Sequence, residues 1–285
     1  MNISRRVNYR NFGFIPGNGW LRDCYGMLFG YRNLYKRLQA RDMMRALNVQ
    51  ANETVLDIGC GRGYITIEIA KQAKAAFGVD VDTVIDEIVI PKRLKDKLKY
   101  VTINPGTPLP FEDSSIDKIF ASEVIAAVAD IDQFLGELRR VLRPGGRLVF
   151  VNGAGHPVIK EAYEKPNSRF LSLKKKHPDR FPATYEDYCV TLNKSFGNQI
   201  DWFYSKEDLD EMFTRNGFET GNVSYSPGLI AGEYLAWQQF ERYIAGGKTL
   251  SQQNFLLKHF IFSGIQRFDN RKYKGGIIYE AINKK

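Results

Sequence analysis

Val55-Leu56-Asp57-Ile58-Gly59-Cys60-Gly61-Arg62-Gly63, followed downstream by Gly78-Val79-Asp80, is the stretch that decides the fold. An apolar run of strand type ends in an acid, and glycines at alternate positions then open a helix. A second strand follows and ends in another acid. In a parallel α/β sheet this arrangement makes a floor for a nucleoside. The backbone comes close at the glycines, and the second carboxylate accepts from ribose hydroxyls. The pattern is D-x-G-x-G-x-G, not the G-x-G-x-x-G that cradles a pyrophosphate at a helix start. That difference points away from a dinucleotide and toward a nucleoside without phosphates.

Two further stretches stand in order behind the first. Leu109-Pro110-Phe111-Glu112-Asp113-Ser114-Ser115-Ile116-Asp117 is a turn running into a strand. Leu138-Arg139-Arg140-Val141-Leu142-Arg143-Pro144-Gly145-Gly146-Arg147-Leu148 is a helix end, a tight turn and another strand. With these motifs the chain resembles the class I S-adenosylmethionine-dependent methyltransferases, in their small-molecule, type 11-like branch. The resemblance covers residues 50 to 153 well. It implies a Rossmann-like α/β fold with a seven-stranded, mostly parallel sheet and an antiparallel last strand. It also implies S-adenosylmethionine as cofactor and S-adenosylhomocysteine as product. Asp57, Gly59, Gly61 and Gly63 match the loop that packs on the methionine part, and Asp80 matches the ribose acid. Cys60, Val81, Asn104 and Ser122 complete the implied cofactor contacts.

The chain departs from the family pattern in two places. Where a Gly-Asp pair usually contacts the adenine amine, it has Asn104-Pro105-Gly106-Thr107-Pro108. The adenine contact then comes from Asn104, from the backbone, or from nothing polar. The helix after strand four often carries a histidine, but here the run is Ser122-Glu123-Val124-Ile125-Ala126-Ala127-Val128, so a base at that position is absent.

Composition narrows the class further. With 44% hydrophobic residues in 285, core material is ample. No apolar run is long enough for a transmembrane helix, and no signal-peptide core follows the basic start. Three scattered cysteines, Cys24, Cys60 and Cys189, suit a reducing cytoplasm, which is the expected location. Cys60 reads as a small residue packed under the cofactor rather than as a reactive thiol. The net charge of +9 gathers in clusters such as Lys174-Lys175-Lys176. It fits an anionic, lipid-linked or sugar-linked acceptor, or simply a solvated basic face. No pattern of an RNA-binding module appears, so nucleic acid is not the expected partner.

Along the chain, apolar periodicity predicts a helix over residues 21 to 47, which in this family serves as a lid. Its neighbours Trp20, Arg22 and Tyr25 either close over the ligand or pack an amphipathic helix. Strands are expected at 53–58, 75–80, 99–104, 117–122, 146–152, 218–225 and 276–282. Helices are expected at 63–73, after strand two with a break near Pro91, and from Asp130 to Arg143. The last of these is stopped by Pro144-Gly145-Gly146. Ser205 opens a further helix, with Asp208 in the capping-box position and Asn216-Gly217 at its end. The domain reading is a single methyltransferase domain over 1–285. It has an N-terminal lid segment (1–50), a cofactor-binding core (51–153) and helical substrate-side insertions at 154–204 and 228–268.

Methyl transfer asks the protein mainly to hold a nucleophile in line with the methyl group in a dry site. A base helps when the nucleophile is a hydroxyl or a protonated amine. The candidate is His156, just past strand five, whose alternative is an ordinary turn histidine before Pro157. His177 and His259 are weaker candidates. Asp57 has a structural alternative as a helix cap. The three histidines lie far apart and no Cys-x-x-Cys grouping occurs, so no metal site is expected. The expected reaction is methyl transfer to a small or medium-sized organic acceptor, at oxygen or nitrogen rather than carbon. The alternatives are an RNA methyltransferase, or a non-methylating module that uses the same fold.

Overall fold

The computed structural model describes residues 34–125, 128–152, 169–184, 187, 191, 204–226, 244 and 276–285. Helix α1 (Leu34–Leu47) precedes strand β1 (Thr54–Ile58), helix α2 (Tyr64–Ala70), β2 (Ala75–Asp80) and β3 (Leu98–Thr102). Then come β4 (Ile116–Ser122), α3 (Ile131–Val141), β5 (Leu142–Asn152), α4 (Arg169–Lys176), α5 (Lys206–Arg215), β6 (Phe218–Ser226) and β7 (Gly276–Asn283). The strands form one seven-stranded mixed sheet in the order β3-β2-β1-β4-β5-β7-β6, with β7 antiparallel. The expected fold class is what the chain adopts.

The described residues fall into two compact units. One holds those within Met1–Asn152, Glu207–Val223 and Ile278–Lys285. The other holds those within Gly153–Lys206 and Ser224–Ile277. In the second unit the basic helix α4 buries Leu173 and leaves its three terminal lysines exposed. Among the described residues no helix is long and apolar enough to cross a membrane.

β1 and β4 are central strands, and most of their side chains are buried, those of Asp57 and Lys118 among them. β1 pairs in parallel with β2 on one side and β4 on the other, so the strand order reverses beside it. Open α/β sheets bind ligands at such a switch point, outside the carboxyl ends of the strands. The glycine loop leaves β1 at that point. Below it, Val55, Ile69, Ala76, Leu98 and Phe120 share a core with Met43, Met44 and Leu47 of α1. These last three lie at helical spacing, which is why the visible part of α1 packs as an amphipathic helix. The expected beginning of that helix, from residue 21, lies outside the described residues.

Two local expectations need correction. The chain after β2 is not a helix broken at Pro91 but two short 3-10 turns, Thr83–Glu87 and Lys92–Leu94. The run Val81 to Ile90 is rich in β-branched side chains, which lose rotamer freedom in a helix, and Pro91 cannot continue one. The second correction concerns Pro144-Gly145-Gly146. Helix α3 already ends at Val141, and β5 starts at Leu142. Leu142 pairs with Ile116 and Arg147 with Lys118, so residues 143–146 bulge out opposite Asp117 alone. Gly145 takes φ +70° within this bulge. Pro144 stands two residues past the cap residue Leu142, as a stop does, and the carbonyls at this junction are met by a distant donor. Asn283 Nδ2 of β7 donates to the carbonyls of Leu142 (2.8 Å), Arg143 (3.1 Å) and Arg139 (3.3 Å).

The two downstream motifs turn out to be halves of one latch. Arg140 on α3 donates to the carbonyls of Phe111 (2.9 Å) and Leu109 (3.1 Å) and to Asp113 Oδ1 (2.6 Å). It also forks onto both oxygens of Glu137, at 2.8 and 2.7 Å. Glu137 in turn accepts from the Leu109 N–H at 2.6 Å. The loop so clamped carries Phe111 edge-on against Phe77 of β2. Charge-assisted bonds of this kind are the stronger ones. Arg140→Ala is therefore expected to lower the unfolding free energy by about 2–3 kcal/mol. Arg140→Lys should recover less than half of that, because an ammonium cannot fork. Urea unfolding midpoints check this, and an unshifted midpoint for the alanine variant would refute the latch.

Candidate functional site

The glycine loop is fixed by β2. The N–H groups of Gly59 and Cys60 both donate to the Val79 carbonyl, at 2.8 and 3.1 Å. The Gly61 N–H donates to Asp80 Oδ2 at 2.7 Å. Gly63 N–H closes the turn on the Cys60 carbonyl at 2.9 Å. Gly59, Gly61 and Gly63 all have positive φ, between +51° and +70°, which side-chain-bearing residues adopt only at a cost.

The glycines are required for different further reasons. A Cβ on Gly59 would lie 2.2 Å from Cγ2 of Val124, and one on Gly63 would lie 2.3 Å from the Tyr100 hydroxyl. Among the described residues nothing comes within 4 Å of a Cβ placed on Gly61, so none of them fills the loop there. The close approach expected at the glycines is thus, at Gly59 and Gly63, an approach to the protein's own side chains. The open position is Gly61, beside Asp80.

Asp80 ends β2 and accepts from the N–H of Gly61 and, through Oδ1, of Asp82 at 3.0 Å. An ionised carboxylate offers about four acceptor sites, so these two donors leave capacity for a pair of hydroxyls. The next residue, Val81, leaves 54% of its surface exposed, unusual for a large apolar side chain. Asn104 is exposed past the end of β3, and its carbonyl closes a turn by accepting from the Thr107 N–H (3.2 Å) and hydroxyl (2.8 Å). Ser122 ends β4, half-buried and paired with Val151. Glu123 after it has φ +58° and donates its N–H to the Val151 carbonyl at 2.8 Å. Backbone in this region is strained for a residue with a Cβ, and it turns the chain sharply away at the sheet edge.

Asp57 differs from Asp80 in being only 2% exposed. It takes a 2.6 Å hydrogen bond from the Thr66 hydroxyl and another from the Thr66 N–H, in the first turn of α2. The helix-capping part open to it from sequence is therefore visible in the geometry. Burial pushes its carboxyl up to about 7, with the Asp80 charge adding to the rise and Thr66 opposing it. Cys60 is half-buried. Burial, with Asp57 and Asp80 nearby, pushes its thiol well above the ordinary range, so the nucleophilic thiolate is disfavoured. It packs against β2, its Sγ 3.0 Å from where a Cβ on Gly78 would be.

A family model described as a methyltransferase domain matches residues 56–150, which span the loop, Asp80 and both halves of the latch. The demethylmenaquinone methyltransferase of Tropheryma whipplei (strain Twist) is 31% identical over 181 residues, 63% of this chain and 72% of its own. The chain belongs to the class I S-adenosylmethionine-dependent methyltransferases. The demethylmenaquinone methyltransferase of Oceanobacillus iheyensis is 28% identical over 205 residues, 70% of this chain and 83% of its own. Among solved structures, geranyl diphosphate C-methyltransferase from Streptomyces coelicolor A3(2) aligns with a TM-score of 0.53 at 19% identity. That alignment covers 97% of this chain and 87% of the other, and it is a likeness of fold. The protein is an S-adenosylmethionine-dependent methyltransferase, with S-adenosylmethionine as its cofactor.

In this methyltransferase the structure brings Asp57, Cys60, Asp80 and the three loop glycines together at the switch point. Val81, Asn104 and Ser122 lie at or just past the carboxyl ends of β2, β3 and β4. His156, His259, Trp20, Arg22 and Tyr25 lie outside the described residues. His177 follows α4 in the second unit, its N–H bonded to the Leu173 carbonyl at 2.9 Å. Thr66, Tyr100 and Val124 escaped the sequence reading. The one available signal was Gly78, because a glycine inside a strand often marks a close approach.

The raised Asp57 value has a consequence for stability. An acid whose folded value lies above its unfolded one binds more protons folded than unfolded across the gap. Its stabilising contribution is full below the unfolded value near 3.8 and is lost as pH rises toward about 7. Measured against Asp57→Asn, the ligand-free wild type should lose stability between about pH 5 and pH 7, by up to about 1.4 kcal/mol per pH unit, and then level off. Parallel melting curves for the two proteins across this range would contradict that assignment.

Proposed function

We propose that Asp80 accepts the ribose hydroxyls of S-adenosylmethionine and that the open loop at Gly61 receives its methionine end. The spare acceptor capacity of Asp80 beside Gly61 is the observation that carries this reading. Val81, with its exposed apolar side chain, and Asn104 flank the adenine in the proposal, and Ser122 lies at the neighbouring strand end. Asp57, almost wholly buried, supports the loop from beneath and adds negative potential where the cofactor's ammonium group would come. The donor set fits the cofactor chemically: carboxylates stand ready for hydroxyls and a cation, and the glycine spacing is not that of a pyrophosphate cradle. When bound, the cofactor supplies an electrophilic methyl group on a sulfonium. The protein's task is orientation and exclusion of water.

For the acceptor, the relatives named for demethylmenaquinone support a small apolar molecule of that kind. Carbon thereby joins oxygen and nitrogen as an accepting atom. If the acceptor is a hydroxyl or a protonated amine, His156 is the proposed base. His156→Ala should then lower kcat by about 10²–10⁴-fold without weakening S-adenosylhomocysteine binding. An unaltered kcat removes it from the mechanism.

Calorimetry with S-adenosylhomocysteine tests the cofactor assignment. Asp80→Ala should weaken binding tenfold or more, about 1.4 kcal/mol. Equal affinity in the variant would refute the ribose contact. The acceptor assignment is checked by mass spectrometry on demethylmenaquinone and simpler quinols, where a gain of one methyl group supports it. Methylation confined to RNA, with steeply salt-dependent binding, would replace it.

A further inference from the structure

In a parallel sheet, residues paired across strands place their side chains on the same face. Asp57 of β1 pairs with Gly78 of β2, and Gly78 pairs with Tyr100 of β3. The row therefore reads acid, vacancy, tyrosine. The vacancy is occupied by the tyrosine ring. A Cβ on Gly78 would sit 2.5 Å from Tyr100 Cδ1 and 2.6 Å from Cε1. Tyr100 leans across β2 through this gap. At the far end its hydroxyl donates to the Gly63 carbonyl at 3.1 Å. Gly63 is the cap residue of α2, and its carbonyl also accepts the Ile67 N–H at 2.9 Å, so the tyrosine adds a second donor to an acceptor already in use.

Two glycines separated along the chain are thus each shaped around this one side chain. Neither the core nor the hydrogen-bond inventory requires the phenol. A leucine would fill much of the gap, and the Gly63 carbonyl would keep its helix bond. The hydroxyl's distinctive effect is to fix the end of the glycine loop against the edge strand. We infer that Tyr100 is a positioning residue of the cofactor site: its ring and hydroxyl set the glycine loop so that the open position at Gly61 faces the ligand. The inference rests on the cofactor reading above and adds to it a residue that touches no ligand.

Wild type and four variants test it, with S-adenosylhomocysteine calorimetry, melting curves and steady-state kinetics as readouts. Wild type must bind, since a wild type that does not bind overturns the cofactor reading itself rather than the part played by Tyr100. Tyr100→Phe keeps the ring and removes only the hydroxyl. It should weaken binding about three- to tenfold and raise KM for S-adenosylmethionine in proportion, with kcat at saturation retained. A lower melting temperature with unchanged affinity and KM would mean a merely structural tyrosine and would overturn the inference. Gly78→Ala forces the ring out of its gap and should weaken binding at least as much as Tyr100→Phe. In the double variant Gly78→Ala/Tyr100→Ala, the added methyl group should cost little beyond Tyr100→Ala alone. Additive losses in that cycle would refute the coupling.

Discussion

The hydrogen bond from the Gly61 N–H to Asp80 ties the loop after β1 to the end of β2, and the rest of the site is arranged around that tie. It works because Val79 has already taken the N–H groups of Gly59 and Cys60, leaving the next amide aimed at the acid. At Gly59 and Gly61 the chain takes a positive φ, which glycine adopts without strain. The loop is therefore specified twice, once by conformation and once by the strand beside it. Val124, from the segment after β4, closes it from the opposite side at Gly59. Among the described residues the position left open lies between two glycines that are filled, Gly59 by Val124 and Gly63 by Tyr100.

The electrostatics of the site are opposite to those of the chain. A protein of net charge +9 places two carboxylates close together beneath its glycine loop. Asp57 and Asp80 repel each other, and burial adds to the cost for Asp57. Backbone and hydroxyl donors offset part of that, yet Asp57 still sits near neutral pH in its ionisation. A site so charged favours a cationic or hydroxyl-bearing ligand and resists phosphates, in keeping with a nucleoside cofactor that has none.

Much of the fold was legible because the central strands are buried on both faces and punctuated by glycine and acid. β1, β2 and β4 came out within a residue or two, and the final strand followed from weak alternation. What was not legible depended on distant partners. The proline and double glycine after Val141 do follow the end of the helix, but they lie in a bulge of β5, and no local pattern could announce that Asn283 caps the carbonyls there. The turns after β2 looked helical by length, yet their β-branched residues were the better guide. In the site, Asp57 and Asp80 were found by motif, whereas Tyr100 and Thr66 are ordinary residues until the register brings them to the loop. Arg140 was quoted within a motif without its purpose, and Glu137, one residue before that motif, was not singled out; both became clear only when Leu109 and Phe111 were seen bound to them.

The part played by Asn283 also bears on how the chain reaches its native state. Its amide caps carbonyls as far as 144 residues away, at the junction between α3 and the strand that follows. Contacts of such separation carry a loop-closure cost that must be met before they return any stability. During synthesis the inner strands and α3 emerge long before β7 does. Until it arrives, the carbonyls of Arg139, Leu142 and Arg143 depend on water, and the flank of β5 destined for β7 is an open sheet edge. The last strand is thus a late-arriving clasp, and a chain interrupted ahead of it would expose that edge to strands of other molecules.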